Sequence, residues 1–390
     1  MNLGRVDRAP CVCVTGICLG YNRLQTLPSE AMHIPDGYLS PSTCAVLYGG
    51  AGVGWYAALR RVKRTLSARM VPLIAVFAAF SFLVMMFNLP LPGGTTGHAL
   101  GVTIAAIVLG PSGAIMALSI AIAIQSLFFG DGGITALGAN CCNMAVAGSL
   151  VAYFVYRLLA VGATITSRRR VVAAAIAGYL AVNVSALMAA IEFGIQPILF
   201  HDASGAPLYA PYSLRIAIPA MMIGHLAIAG IAEALITAGL VGYLQVADPA
   251  LLQNTSGLAV EPGAWKPASS GSLRRLWTTV ALLLLLTPLG ILAAGKAWGE
   301  WAAADFSRTD RRQHIASASL NHPPPVAPPS GMQRLAGIWT APIPAYAPPV
   351  VKSASFGYLL SAMFGVGLVL ALSLTLQKLL TRRSASGTLQ

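Results

Sequence analysis

The chain is 390 residues long, 56% of them hydrophobic and only 9% charged. Soluble domains carry about 25% charged residues, so this composition excludes a soluble globular protein and predicts an all-α, polytopic bundle of helices in a lipid bilayer. The net charge of +13 is therefore read by position, as topology, and no nucleic-acid partner is expected. Cys11, Cys13, Cys18, Cys44, Cys141 and Cys142 show no CxxC spacing, which points away from a zinc site and from a disulfide framework.

Residues 1–31 have a short apolar part interrupted by Gly16 and Gly20. That fits a translated leader ahead of the working start better than a signal peptide, although Ser29-Glu30-Ala31 keeps cleavage open. A bilayer-spanning helix needs about 20 apolar residues. Nine stretches are candidate spans: 41–59, 71–90, 97–110, 113–130, 136–157, 171–199, 213–243, 274–294 and 355–377. The third is short, and Gly110-Pro111-Ser112-Gly113 separates it from the fourth. Basic clusters follow span one (Arg60, Arg61, Lys63, Arg64, Arg69), precede span six (Arg168 to Arg170), precede span eight (Arg274, Arg275) and follow span nine (Lys378, Arg382, Arg383). If the third stretch crosses, all four clusters lie on one side. The N-terminus is then extracytoplasmic and the C-terminus cytoplasmic, in a multi-pass protein of the cytoplasmic (inner) membrane. Four units follow: 1–31, a membrane domain 32–245, a cytoplasmic linker 246–273, and a two-helix hairpin 274–390. The hairpin's outer loop, 295–354, contains His322-Pro323-Pro324-Pro325 and is expected to be extended and partly disordered.

The same topology gathers four polar, Gly-rich elements on the outer face. Met32-His33 is the first. If Met32 begins the working chain, its amine, the deprotonated amide nitrogen of His33 and the Nδ1 of that ring chelate one ion in a plane. One equatorial position stays open for a further imidazole, and His98 is the candidate. Nitrogen donors in a plane suit Ni2+ or a low-spin Co2+, and binding should weaken as pH falls. The bland alternative is a surface histidine at the membrane interface. Thr95 and Thr96, just before His98, either support a bound ion through hydrogen bonds or cap a helix with His98 in its first turn. Asn140 and Asn143, one helical turn apart, either line an outer cavity with Gln125 and Asp131 or bind helices together.

His225 and Glu233 lie within span seven. They read as an interhelical hydrogen bond or a partner contact, too far toward the cytoplasm to join the outer site. Gly290-Ile291-Leu292-Ala293-Ala294-Gly295-Lys296-Ala297 nearly fits a phosphate-binding loop but ends in Ala297, without the hydroxyl that a Mg2+ ion needs. An ATP site, an HExxH motif and a GxSxG motif are all missing from the sequence.

The motifs at 32–41, at 92–98, at 129–140 with Asn143-Met144, and from His225 through Glu233 to Thr237 resemble the CbiM/NikM family. These are substrate-capturing components of cobalt and nickel energy-coupling-factor transporters. The resemblance covers about 32–245, and residues from Thr287 into span nine are similar to the family's small accessory subunit, fused here. It implies capture of Ni2+ or Co2+ by Met32, His33 and His98, a scaffold membrane subunit and two ABC ATPase subunits as partners, no cofactor and no enzymatic activity of the chain's own. The 31 residues before Met32 depart from the family pattern, since the amine donor requires their absence. Two rivals stand. A secondary ion-coupled permease predicts inverted repeats with midplane carboxylates, whereas only Glu192 and Glu233 are intramembrane acids and no repeat is visible. An intramembrane metalloenzyme needs a base beside an open metal position, and no residues are spaced for it.

Overall fold

The computed structural model describes residues 33–65, 70–253, 255, 270–293 and 295–386. In lipid each backbone N–H and C=O must be satisfied within the protein, so the long apolar runs fold as helices. In chain order these are α1 (Pro41–Thr65), α2 (Val71–Met85), α3 (Val102–Phe129), α4 (Leu137–Leu159), α5 (Arg168–Leu199), α6 (Leu214–Ala247), α7 (Ser270–Leu292) and α10 (Ala354–Ser386), with the short α8 (Thr309–Ala318) and α9 (Ser330–Leu335) between the last two. Strands β1 (Leu89–Leu91) and β2 (Thr95–Gly97) form a small antiparallel hairpin, with Leu89 opposite Gly97. Among the described residues six helices are long and apolar enough to cross a membrane: α3, α4, α5, α6, α7 and the Ala354–Thr375 part of α10. The chain is a multi-pass helical membrane protein.

The stretch 97–110 is not helical along its length, contrary to the expectation of a third span there. Residues up to Gly97 are spent in the hairpin and His98–Gly101 is non-helical, so the helix starts only at Val102. It then breaks at Gly110, whose φ of 74° and ψ of 169° precede Pro111. Proline removes a helix donor and clashes with the preceding turn, which explains the break. Arg170, expected as a topological charge, is buried and bonds the carbonyls of Ala163 and Thr164 and the Tyr156 hydroxyl, closing the α4–α5 turn.

Helix α10 is built into the bundle. A Cβ on Gly365 would stand 2.1 Å from the Phe82 ring, so only glycine allows α10 so close to α2. Tyr358 donates to the Met86 carbonyl at 2.8 Å. Gly290, in the near-phosphate-loop stretch, packs its backbone on the same carbonyl. The main apolar core runs from Leu73 through Phe129 to Tyr346, Tyr358 and Val369. A second core joins Ile34, Tyr38 and Phe193 to Trp298, Trp301, Phe306 and Met332. Both contain side chains from beyond residue 274.

The loop 295–354, expected to be extended and partly disordered, is folded. Trp298, Trp301, Phe306, Ile315, Met332 and Tyr346 are buried. The Pro run is fixed by Arg312, which donates to the carbonyls of Phe306 at 3.0 Å, Pro324 at 3.0 Å and Pro325. Composition alone signalled disorder, but one guanidinium satisfies the carbonyls that prolines cannot pair among themselves. Hydrogen bonds from a charged donor contribute about 1.5–3 kcal/mol. Arg312→Ala should therefore speed limited proteolysis within 319–329 by about tenfold or more, with the helical bundle intact. An unchanged digestion rate would mean that the loop is held by other contacts.

Candidate metal site

The segment from His33 to Ser40 is held against the loop between α3 and α4. Ile34 N donates to Asn140 Oδ1 at 2.9 Å, and Asn140 Nδ2 returns a bond to the Ile34 carbonyl at 3.1 Å. Gly133 N donates to that same carbonyl at 2.9 Å. Asp36 accepts from Ile134 N at 3.1 Å, Thr135 N at 2.7 Å and the Thr135 hydroxyl. The approach requires glycine: a Cβ on Gly133 would lie 2.3 Å from Asp36 N, and Gly132, at φ +86°, sits under His33. Ser40 N is held by Gln196 Oε1 at 3.0 Å, and the Tyr38 hydroxyl bonds the Trp301 carbonyl at 2.7 Å.

His98 arrives from the opposite direction. Thr96 N pairs with the Lys296 carbonyl at 3.2 Å, which anchors the hairpin to the C-terminal unit. Below it, the Glu233 carboxylate accepts from Leu100 N at 2.8 Å, Gly101 N at 2.9 Å and Thr103 N at 3.4 Å. A carboxylate at the N-terminus of a helix satisfies orphan donors and meets the positive end of the dipole. Glu233 thus sets where α3 starts and, with it, where His98 stands.

The His33 and His98 rings are buried with centroids 5.5 Å apart and planes at 47°. His33 Nδ1 bonds Asp131 Oδ1 at 2.5 Å, and His98 Nδ1 bonds the Ala99 carbonyl at 3.0 Å. Each Nε2 is buried without a hydrogen-bond partner. Native structures pair nearly all buried polar atoms, and an imidazole nitrogen with a free lone pair is a metal donor. Met32 lies outside the described residues, as do residues 1–31. The expected chelation needs Met32 and so falls outside the described residues; within them, His33 Nδ1 stands against Asp131.

The other expected residues divide. Asp131 is in the site, its second oxygen accepting from the Tyr346 hydroxyl at 2.5 Å. Burial alone raises the Asp131 carboxyl, but His33 and the Tyr346 hydrogen bond bring it below the usual carboxylate range. Tyr346 itself is raised by burial and by the Asp131 charge, so its hydroxyl keeps the proton and donates. Gln125 supports this pair, donating to the Tyr346 oxygen at 3.1 Å. Asn143 Nδ2 donates to Glu192 at 2.8 Å. Thr95 is turned away, its hydroxyl spent on the Pro92 carbonyl at 3.1 Å. Thr96 caps nothing, since the helix begins five residues later than a cap at that position requires.

His225 is the main correction. It does not lie away from the outer site: it lines one cavity of about 40 Å³ with His33, Asn140, Asn143, Trp298 and Glu300. The reason is that the His98 strand-and-loop dips into the bundle down to the level of Glu233, so the site is deeper than a rim of outer loops. Three of the polar residues stand in π turns, Gln125 in Gln125–Phe129, Asn143 in Cys141–Ala147 and His225 in His225–Ala229. A π turn inserts one residue and re-aims its side chains, which helical periodicity does not reveal. Tyr346 and Glu300 were likewise invisible, both lying in a stretch whose composition suggested disorder. Among the described residues no three His, Cys, Asp or Glu side chains are grouped to hold an ion.

Residues 33–251 match the family described as the cobalt uptake substrate-specific transmembrane region, CbiM, and residues 274–382 match the PDGLE domain. A fused nickel transport protein NikMN of Rhodobacter capsulatus is 53% identical over 340 residues, 87% of this chain and 95% of its own length. A probable fused nickel transport protein LarMN of Lactiplantibacillus plantarum is 42% identical over 289 residues, 73% of this chain and 83% of its own. The crystal structure of a truncated transition metal transporter superposes with a TM-score of 0.51 at 50% identity, covering 55% of this chain and 98% of that one.

Asn140 is the acceptor for the Ile34 N–H, so Asn140→Ala leaves that buried donor unpaired. The cost is about 1–3 kcal/mol, and the purified protein should melt a few degrees lower in detergent. A melting temperature equal to that of the parent chain would remove Asn140 as the clamp.

Proposed function

Because the chain belongs to the CbiM family of cobalt and nickel transport proteins, we propose that it captures Ni2+ or Co2+ at its outer face as cargo for ATP-driven uptake. The observation that carries this reading is the pair of buried, unpartnered Nε2 atoms on His33 and His98. Imidazole donors suit both ions, and N–metal bonds of about 2 Å are compatible with rings at this spacing. Each ring is oriented by the hydrogen bond at its other nitrogen, which is the arrangement that makes a histidine a good ligand.

The energy source lies on other chains. A scaffold membrane subunit and two ABC ATPase subunits of the energy-coupling-factor type would complete the transporter in the cytoplasmic membrane, with residues 32–245 as the capture domain and 274–390 as a fused accessory hairpin. The chain itself catalyses no reaction in this reading and carries no resident cofactor. A secondary ion-coupled permease is the alternative. Uptake of 63Ni2+ or 57Co2+ in cells with and without the ATPase genes separates the two: ATP-driven capture requires them, and uptake that survives their loss favours the permease.

A second geometry for the ion is favoured by the Met32-His33 dipeptide. In it the Met32 amine, the His33 amide nitrogen, His33 Nδ1 and His98 form a plane of four nitrogens. Forming that plane exchanges the Asp131 contact at Nδ1 for the ion. The contact in place favours Nε2 as the donor, and the two modes differ in sign at one residue. With Nε2 bound, Asp131→Asn loosens the ring and should lower ion retention by about 10–100-fold. With the planar set, Asp131→Asn frees Nδ1, and retention rises. N-terminal sequencing of the loaded protein adds an independent check, since the amine is a donor only in a chain that starts at Met32.

His98→Ala should remove most of the bound ion from the purified protein, with normal membrane insertion. Retention equal to that of the parent chain would exclude His98 from the site.

A further inference from the structure

We propose that the cavity between the helical bundle and the C-terminal unit holds a second, exchangeable position for a divalent transition-metal ion, built from His225, Asn143 and Glu300. The proposal rests on the reading that the chain captures Ni2+ or Co2+. His33 lines this cavity and His98 does not, so the position adjoins the capture site without coinciding with it. The cavity measures about 40 Å³, and a single water needs about 10–15 Å³. An ion with a little of its water fits.

Two of the lining residues carry lone pairs that nothing in the protein uses. His225 is buried, and its Nδ1 stands 2.7 Å from the Met221 carbonyl, one turn earlier in α6. A carbonyl only accepts, so the proton is on Nδ1 and Nε2 keeps its lone pair. That Nε2 is buried without a hydrogen-bond partner. Asn143 Nδ2 donates to Glu192 at 2.8 Å, and Asn143 Oδ1 is likewise buried without a partner. Native structures pair nearly all buried polar atoms, so two such atoms on residues lining one cavity point to a ligand.

The third group decides the kind of ligand. Glu300 is brought in from the C-terminal unit by a backbone that requires glycine. Gly299 has a φ of 89°, and a Cβ there would lie 2.8 Å from the Phe193 ring. The indoles on either side fix the approach: Trp298 meets Phe193 and Trp301 edge-on, and the Trp301 carbonyl accepts from the Tyr38 hydroxyl at 2.7 Å. Glu300 is itself buried. Among the described residues that line the cavity it is the one acid, and none is Lys or Arg. Water alone could satisfy the two lone pairs. A carboxylate beside them gives the wall a negative charge and selects a cation. An imidazole nitrogen, an amide oxygen and a carboxylate oxygen together suit Ni2+ or Co2+, with water in the remaining positions.

Equilibrium dialysis of 63Ni2+ against the full-length protein, prepared without a histidine tag, tests this. The parent chain should show two classes of ion, one retained on transfer to ion-free buffer and one that exchanges. Glu300→Gln keeps the side-chain volume and removes the charge, and His225→Gln removes the imidazole. Each should abolish the exchangeable class and leave the retained class as in the parent, which also shows that the variant is folded. His98→Ala should do the reverse. Any other pattern in Glu300→Gln or His225→Gln overturns the proposal. A parent chain with the retained class alone overturns it too and leaves the capture reading standing. A parent chain with no retained class defeats the capture reading and takes this proposal with it.

Discussion

Asp131 is a carboxylate with two oxygens to satisfy in a place that water does not reach. An unpaired charge in such surroundings costs several kcal/mol, so each oxygen must find a fixed donor. One finds the His33 ring and the other the Tyr346 hydroxyl. Much of the local architecture serves that requirement. The Asp131 backbone is tied to the Gln125 carbonyl at 3.1 Å, and the glycines that follow let the His33 segment come within contact distance. Asn140 and Asp36 then lock the segment in register. A polar network is tolerable in a membrane bundle only when its members are paired, and the Nε2 atoms of His33, His98 and His225 are among those left without a hydrogen-bond partner.

The second imbalance is solved by a different device. The start of α3 exposes backbone donors inside the bundle, and Glu233 from α6 takes three of them. The carboxyl is met by peptide N–H groups rather than by a cation. His98 stands two residues before the first of those donors. The two imidazoles thus come from unrelated parts of the chain, one from a clamped N-terminal segment and one from a hairpin pinned from below.

Much of this was legible in the sequence because it is local. Apolar runs of membrane length mark the helices, and a Pro-Gly-Gly turn followed by His98 marks that histidine as a candidate ligand. Asn140 and Asn143 were recognisable as one face of a helix. What could not be read depends on depth and on distant pairing. Linear position places His225 and Glu233 too far inward, whereas the loop after the hairpin descends to meet Glu233. The π turns at Gln125, Asn143 and His225 shift side chains by an amount that a fixed helical period cannot predict. Residues 295–354 look disordered from their prolines, and the aromatic side chains that fold the stretch do so partly against distant partners, Trp298 on Phe193 and Tyr346 on Phe82 and Phe129.

The hydroxyl that steadies Asp131 sits on the same polypeptide as the histidine it serves, and the C-terminal unit carrying it is part of both apolar cores. Were that unit a separate chain, completion of the site would be a bimolecular event governed by how much of each chain the membrane contained. Joined in one chain, its docking is intramolecular, with an effective concentration on the order of millimolar for a short tether. Occupancy of the tyrosine position is then independent of expression level and survives dilution into detergent. Each molecule carries its own phenol beside Asp131, so a population does not divide into molecules with and without it.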